Sequence, residues 1–195
     1  MRGSVKHGRL VFLLLVMLGI SLPAAAQNAA RMEVSGGYNF IRVFPPDDDA
    51  ENFPGGWYAD VAGNVTNMLA VVGQVNGNYK TLEESGGDLD AKVHGFLGGV
   101  RVSSRTNRRY VPFGQALVGG THVKFRSKTF DLHESDTFFT MQVGGGVTVM
   151  VRDSVGIRLS ADYLRVFGKE ESNISDEDLD VFRFAVGIVL PFGAR

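Results

Sequence analysis

The sequence lacks cysteine, a strong net charge and, beyond its N-terminal region, any long apolar run. Because it contains no cysteine, neither a disulfide framework nor a thiolate metal site can stabilise the fold. A formal net charge of -1 gives no strongly basic face, so we expect no nucleic-acid partner. The later apolar runs are shorter than the ~20 residues of a membrane-spanning helix, but strands of about 9 to 11 residues can also cross a membrane. We expect no cofactor.

The N-terminal residues have the pattern of an export signal. Arg2, Lys6 and Arg9 precede an apolar run over residues 10–22, which is followed by Pro23 and three alanines. This order of basic, apolar and small residues is typical of a cleaved secretory signal with an A-x-A site. We therefore expect residues 1–26 to be removed as a signal peptide and residues 27–195 to form one exported domain.

The stretch 182–192 alternates between two kinds of side chain. Large apolar residues occupy one parity, whereas Arg183, Ala185 and Gly187 occupy the other. A period of two predicts a β-strand with two different faces. A strand at this position must pair on both edges or leave an open edge. We therefore expect it to pair with the first strand and close a barrel.

Seven earlier stretches show strand patterns. They span residues 31–42, 57–65, 69–79, 90–103, 110–123, 139–149 and 155–163. In the glycine-rich stretch 110–123 the sequence does not show which residues share a face. Long polar connections, predicted as loops at 44–54, 82–88, 124–135 and 168–180, alternate with short turns. This spacing predicts an all-β fold, an eight-stranded antiparallel up-and-down transmembrane β-barrel with tight turns at one rim and long loops at the other.

The pattern shows two faces without saying which one is inside. A soluble lipocalin-like cup would place the apolar face inward. The interior of an eight-stranded barrel is just wide enough for its side chains, so a face of Phe, Tyr, Trp, Val and Leu would crowd it. An arginine facing lipid near the midplane would also cost roughly 2 to 4 kcal/mol. We therefore expect an apolar exterior and an interior charge network of Glu33, Asp60, Arg101, Arg158, Asp162 and Arg183.

The C-terminal strand carries a specific motif. Gly187, followed by Leu190 and Phe192, resembles the C-terminal assembly signal of small eight-stranded outer-membrane barrels, the group typified by the OmpA transmembrane domain and OmpX. Ala185 stands where that signal usually has a polar residue. The resemblance implies a monomer in the outer membrane of a Gram-negative bacterium, in contact with lipid and lipopolysaccharide and inserted by the barrel-assembly machinery. It implies no activity.

The interior charges allow two interpretations. They could line a narrow ion path, or they could close the lumen as a plug of salt bridges. In a barrel of this size the side chains fill the interior, and a pore for large solutes needs about 16 strands. A plug is therefore favoured, with a narrow ion channel as the alternative.

One loop contains residue types that could support catalysis. His133 and Ser135, with Glu134 between them, resemble the His-x-Ser arrangement of lipid A deacylases, which are also outer-membrane barrels. A histidine can activate a serine hydroxyl when a carboxylate orients its ring. The same residues are common in a hydrophilic surface loop, and spacing alone is weak evidence for a triad.

Other charged residues suggest surface binding. Acidic residues of the predicted loops could bind Ca²⁺ or Mg²⁺, but they lack EF-hand spacing; they are Asp47, Asp48, Asp49, Glu51, Asp176, Glu177, Asp178 and Asp180. Lys124, Arg126 and Lys128 could contact lipopolysaccharide phosphates. The favoured hypothesis is an envelope scaffold whose surface loops serve adhesion or partner binding. The alternatives are a lipid A-modifying enzyme, a narrow channel and a soluble lipocalin-like binding barrel.

Overall fold

The computed structural model describes residues 30–44, 51–84, 87–107, 109–127, 133–168 and 178–193. They form strands β1 Met32–Phe44, β2 Glu51–Asn64, β3 Leu69–Glu84, β4 Gly87–Ser103, β5 Tyr110–Ser127, β6 His133–Arg152, β7 Val155–Val166 and β8 Leu179–Phe192. In the described ranges no helix is long and apolar enough to cross a membrane. The predicted signal peptide, 1–26, lies outside these residues.

The eight strands form one closed barrel in sequence order. Each strand pairs antiparallel with its neighbours, and β1 closes the ring on β8, from Met32 opposite Phe192 to Phe44 opposite Asp180. Every strand is thereby paired along both edges, so the C-terminal strand has no open edge. The predicted eight-stranded antiparallel up-and-down barrel is confirmed.

The apolar parity faces outward. In β8, Phe184 is 55% exposed whereas its neighbour Arg183 is 2% exposed. The same contrast holds in β7, where Leu159 is exposed and Arg158 is buried. This arrangement is the reverse of a soluble lipocalin-like cup, and it suits a barrel whose exterior meets lipid.

The hairpins at the loop rim are longer than the sequence predicts. β3 and β4 remain paired up to Glu84 opposite Gly87, and β5 and β6 pair up to Arg126 opposite His133. The predicted loops 82–88 and 124–135 were therefore wrong in extent. Beyond the membrane the outer face need not be apolar, so the alternation fades while backbone pairing continues. Residues 45–50, 85–86, 128–132 and 169–177 lie outside the described residues.

Pro54 also lies in a strand rather than in the predicted loop 44–54. β1 and β2 change register here, because Asn39 lies opposite Gly56 but Ile41 lies opposite Phe53. The extra residue on β2 forms an irregularity of the β-bulge type. A bulge tolerates proline, which has no N–H for the ladder, so the strand continues through this position.

The structure assigns the faces of β5 that the sequence left open. Phe113, Gln115 and Leu117 are buried in the lumen, whereas Val118 is 47% exposed on the outside. Apolar side chains therefore also fill part of the interior. One interior cluster contains Ala62, Ala70, Val72, Leu97 and Leu117, and another, towards the loop rim, contains Ile41, Leu164 and Val181.

Candidate functional site: the charged interior

The structure places all the predicted interior charges in the lumen. They come from five strands and project inward because each occupies the parity opposite the lipid-facing residues. Most are almost fully buried: Asp60 3%, Arg101 2%, Arg158 3%, Asp162 2% and Arg183 2% exposed. Glu33 lies on the same face of β1, with its side chain 13% exposed.

Asp60 is the centre of the first group of contacts. Its carboxylate accepts a 3.1 Å bond from Arg101 Nη2 and lies 3.4 Å from Arg158 Nη1. Ser35 Oγ donates a further bond of 2.7 Å. Arg158 then extends the group, because its Nη2 lies 3.0 Å from Glu33. One buried carboxylate thus serves two arginines, and the second arginine shares its charge with Glu33.

Asp162 is the centre of a second group. Arg183 Nη2 donates to Asp162 Oδ2 at 2.8 Å, and these two residues are direct neighbours across β7 and β8. Gln115 and Gln142 donate to the other oxygen, Oδ1, at 2.9 Å and 3.2 Å. The carboxylate therefore has partners on both oxygens, as a buried charge requires.

Gln115 joins the two groups. Its Oε1 accepts from Arg101 Nη2 at 2.8 Å, while its Nε2 donates to Asp162. Gln74 adds another connection across the lumen. Its Oε1 accepts a hydrogen bond from Arg183 Nη2, and its Nε2 donates to Gln142 Oε1 at 3.2 Å. The result is one continuous network across the lumen, built from amides as well as charges.

The predicted network named only the charged strand residues, so it lacked the Ser35 hydroxyl and the amides of Gln74, Gln115 and Gln142. Two further members had no strand face from which they could be predicted. Arg105, in the short connection between β4 and β5, reaches into the barrel mouth and pairs with Glu33. Phe113 lies between two cations, with its ring centroid 5.1 Å from Arg101 Cζ and 4.9 Å from Arg158 Cζ. A turn residue has no strand parity to indicate its direction, and the faces of β5 were unassigned. The sequence therefore held no signal for either contact.

The network occludes the middle of the barrel but leaves a recess at the tight-turn rim. This open cavity has a volume of about 570 Å³ and is lined by residues that include Glu33, Ser103, Arg105 and Arg158. No group of three or more His, Asp or Glu side chains in the described part of the chain could hold a metal ion. Geometrically, the interior serves as a hydrogen-bonded plug beneath an open recess.

The three residues of the predicted assembly signal lie on β8, two on its outer face and one on its inner face. Leu190 and Phe192 face outward and are 41% and 46% exposed. Gly187 faces inward and lies opposite Gly37 on β1. A Cβ on Gly187 would collide with Tyr58 Oη and would lie 2.6 Å from the Gly36 carbonyl oxygen. Gly187 therefore has a packing role, whatever its role in assembly.

The candidate catalytic residues occupy a strand rather than a loop. His133, Glu134 and Ser135 begin β6, and their backbones pair with Arg126, Phe125 and Lys124. Their side chains lie outside the described residues.

The predicted acidic loop residues lie only partly in the described ranges. Asp178 accepts a 2.9 Å bond from Arg165, and Asp180 accepts a 2.6 Å bond from Tyr163. These carboxylates are thus engaged by side chains of β7. The placements of Asp47, Asp48, Asp49, Asp176 and Glu177 lie outside the described residues, as does the side chain of Glu51.

The family model described as "Outer membrane protein beta-barrel domain" matches residues 12–192. The chain belongs to this family. It is therefore an outer-membrane β-barrel protein of a Gram-negative bacterium, which agrees with its apolar exterior. Comparison with curated proteins gives no match.

Solved structures share the fold at low sequence identity. Ail of Yersinia pestis is 21% identical, with 84% of this chain and 99% of that chain covered and a TM-score of 0.60. Neisserial surface protein A is 14% identical over 85% and 99% of the two chains, with a TM-score of 0.69. OprG from Pseudomonas aeruginosa is 10% identical over 87% and 99%, with a TM-score of 0.51. At these identities the likeness concerns the fold of this outer-membrane barrel.

Proposed function

We propose that this outer-membrane barrel is an envelope scaffold that presents its loop rim for adhesion or partner binding. The observation that carries the proposal is the continuous network from Asp60 through Gln115 to Asp162, which occludes the middle of the lumen. An occluded lumen leaves the outer hairpins as the surface that can vary and bind. The long β3–β4 and β5–β6 hairpins extend that surface beyond the lipid-facing band.

A similar structure offers a starting ligand. The structure of Ail that includes the heparin analogue sucrose octasulfate is 21% identical to this chain, with a TM-score of 0.59. We take from it only the choice of probe, a sulfated saccharide. We further propose that the barrel is a monomer, that it is inserted by the barrel-assembly machinery through Gly187, Leu190 and Phe192, and that residues 1–26 are a cleaved signal peptide.

Shortening the loop rim tests the binding role. In one variant a short Gly-Ser turn replaces residues 169–177, and in a second it replaces residues 128–132. The matched control replaces Asp153 and Ser154, which turn the chain at the opposite rim, with Asn-Gly. Cells displaying each protein are assayed on immobilised heparin and on cultured epithelial cells, and folding is checked by the change in gel mobility on boiling.

We expect the wild-type protein and the control to adhere, and at least one loop variant to lose adhesion while remaining heat-modifiable. Equal adhesion of all four proteins, or equal failure of all four on both surfaces, would contradict a binding role for the loop rim.

We propose that the barrel is not an enzyme. Ser135→Ala should therefore leave the acyl-chain pattern of lipid A unchanged in cells that express the protein. Mass spectra of extracted lipid A provide the measurement. An acyl loss that depends on Ser135 would restore the deacylase alternative.

A narrow channel remains a second candidate because of one observation. Nη1 of Arg183 is buried and has no hydrogen-bond partner within the described residues, so the network retains a donor that a passing anion or water could use. Single-channel recording on purified protein tests this candidate. Discrete steps that change in Arg183→Gln would support conductance, and their absence would leave the scaffold proposal.

A further inference from the structure

A cluster of basic side chains lies on the outer surface of the β4–β5 hairpin. Lys92 lies directly opposite Lys124, and His94 lies directly opposite His122, two residues along each strand. All four positions have the outward parity, because the intervening odd positions on β4 such as Leu97 face the lumen. We call these four residues the basic ladder.

The basic ladder lies at the edge of the lipid-facing band. On β4 the outward side chains run from Val102, 50% exposed, through Val100, 44% exposed, to Phe96, 60% exposed. His94 is the next outward residue, and Lys92 follows it towards the loop rim. An apolar band on a barrel is about 25 Å tall, and the eight residue-to-residue steps from Val102 to His94 cover most of that height at ~3.3 Å per step along a tilted strand. Lys92 and Lys124 therefore meet the level of the outer-leaflet headgroups.

The lysines have no anionic partner of their own within the described residues. Like charges directly opposite each other on a sheet are destabilising, and the residues paired with the two lysines on the neighbouring strands, Tyr79 on β3 and Ser135 on β6, carry no carboxylate. Further along the hairpin, the backbone of Asp90 pairs with that of Arg126, and the side chains of both residues lie outside the described ones. Among the described side chains, no carboxylate forms an ion pair with Lys92 or Lys124, so both ammonium groups can meet an external anion.

A chain of hydrogen bonds orients His94. Trp57 Nε1 donates to Tyr79 Oη at 3.2 Å, and Tyr79 Oη lies 3.3 Å from His94 Nε2. Because an indole N–H can only donate, the Tyr79 hydroxyl oxygen accepts from Trp57, and the same hydroxyl contacts Nε2 of His94. Nδ1 is therefore the remaining ring nitrogen of His94.

His122 is held from the other side. Its Nδ1 lies 2.9 Å from Thr137 Oγ1 on β6, so Nε2 is its remaining ring nitrogen. The two imidazoles are therefore anchored to opposite neighbouring strands, with one ring nitrogen of each uncommitted among the described residues. Two ammonium groups and two oriented ring nitrogens on one small patch match the several oxygens of a phosphate group.

We propose that the basic ladder is a binding site for a phosphate group carried by an outer-leaflet lipid. Charge complementarity favours an anion, and the position beside the apolar band favours one attached to acyl chains rather than one free in solution. The proposal rests on the outer-membrane location and is independent of adhesion by the loop rim.

The test compares two double variants that carry the same net charge. One variant combines Lys92→Gln with Lys124→Gln. Its control combines Arg109→Gln with Arg152→Gln, which removes two exposed cations at the opposite rim. A third variant, His94→Phe, removes the oriented ring nitrogen alone. Each protein is refolded in detergent, checked for heat-modifiable mobility, and titrated with diphosphoryl lipid A, with enzymatically dephosphorylated lipid A and with inorganic phosphate. Native mass spectrometry counts bound lipid, and Trp57, the one tryptophan in the chain, reports binding by fluorescence.

We expect the wild-type protein and the control to bind diphosphoryl lipid A alike. The lysine variant should bind it about 30-fold more weakly, the loss expected for two cations at an anionic lipid surface, and His94→Phe should show a smaller loss. Unchanged binding in the lysine variant, an equal loss in the control, or equal binding of the dephosphorylated lipid would overturn the proposal. Full displacement by inorganic phosphate at equal concentration would overturn the assignment to a lipid.

Discussion

Asp60 and Arg101 form a buried, two-pronged ion pair in the middle of the lumen. Arg101 donates from Nη2 to Asp60 Oδ2 at 3.1 Å and from Nη1 to Oδ1 at 3.3 Å, and both side chains are 2% exposed. Arg158 lies 3.4 Å from the same carboxylate. One carboxylate therefore pairs with two buried guanidinium groups, and of these only Arg158 has a second carboxylate partner, Glu33.

Replacing that residue should be costly. Asp60→Asn keeps the side-chain volume but leaves Arg101 without a carboxylate and Arg158 with only Glu33. Removing one partner of a buried ion pair typically costs about 3–5 kcal/mol of unfolding free energy. Urea unfolding of the detergent-refolded protein measures the change. Asp178→Asn, in an exposed pair with Arg165, is the control and should change stability little. Equal stability of Asp60→Asn and wild type would show that the two arginines do not need this carboxylate.

Phe113 should stabilise the network through its ring faces. It lies 5.1 Å and 4.9 Å from the guanidinium carbons of Arg101 and Arg158. Phe113→Leu retains an apolar side chain but removes both cation–π contacts, so we expect a loss of about 1–2 kcal/mol. Phe139→Leu is the control, because Phe139 is 51% exposed on the outside. If the two variants have the same urea midpoint, the ring faces contribute nothing specific.

Gly187 should be required for packing as well as for any assembly signal. In Gly187→Ala the new Cβ would collide with Tyr58 Oη and the Gly36 carbonyl oxygen, and overpacking of this kind costs about 1–3 kcal/mol. Gly63→Ala is the control, because a Cβ there meets no atom within 4 Å. Thermal unfolding after refolding in detergent, without the assembly machinery, isolates the packing effect. A stable Gly187→Ala barrel that fails to insert only in cells would assign the residue to assembly alone.

Asp178 should titrate below the usual range of aspartate. The pKa of its carboxyl is lowered because Arg165 donates to Oδ2 at 2.9 Å and 3.2 Å and the Gly168 N–H donates to Oδ1 at 3.1 Å. A lowered folded-state pKa means that the contact stabilises the fold above the unfolded pKa of about 3.9. This contribution is lost as the pH falls through the folded-state pKa. Carbon-13 NMR titration should show the low pKa in wild type and a return towards the ordinary value in Arg165→Gln. An ordinary pKa in wild type would mean that the contact is not formed in solution.

The strand faces show where sequence patterning was sufficient. In β6, β7 and β8 the alternation of large apolar with small or polar residues correctly predicts which side chains face outward, as with Phe184 and Arg183. The signal is strong there because lipid and lumen make opposite demands on neighbouring residues. Where lipid no longer constrains the outer face, as in β3 near Glu84, the pattern fades and the prediction placed a loop.

The interior network shows where patterning was insufficient. Parity places Asp60, Arg101 and Arg158 in one lumen, but it does not say which carboxylate meets which guanidinium. Those pairs join residues far apart in the chain, such as Arg158 and Glu33, and depend on strand register and tilt. Arg105 lies in a turn and has no parity at all, so its contact with Glu33 follows from the barrel geometry.

The sequence by itself determined the class of this protein: eight two-faced strands, an apolar exterior and a charged interior. It could do so because successive side chains of a barrel strand face the lipid and the polar lumen in turn. The tertiary structure decided which charges meet, that Gln115 joins the two ion-pair groups, and that Lys92 and His94 line up with Lys124 and His122 on the outer surface. These relationships depend on the register between strands, and register is a property of the closed barrel rather than of any one segment.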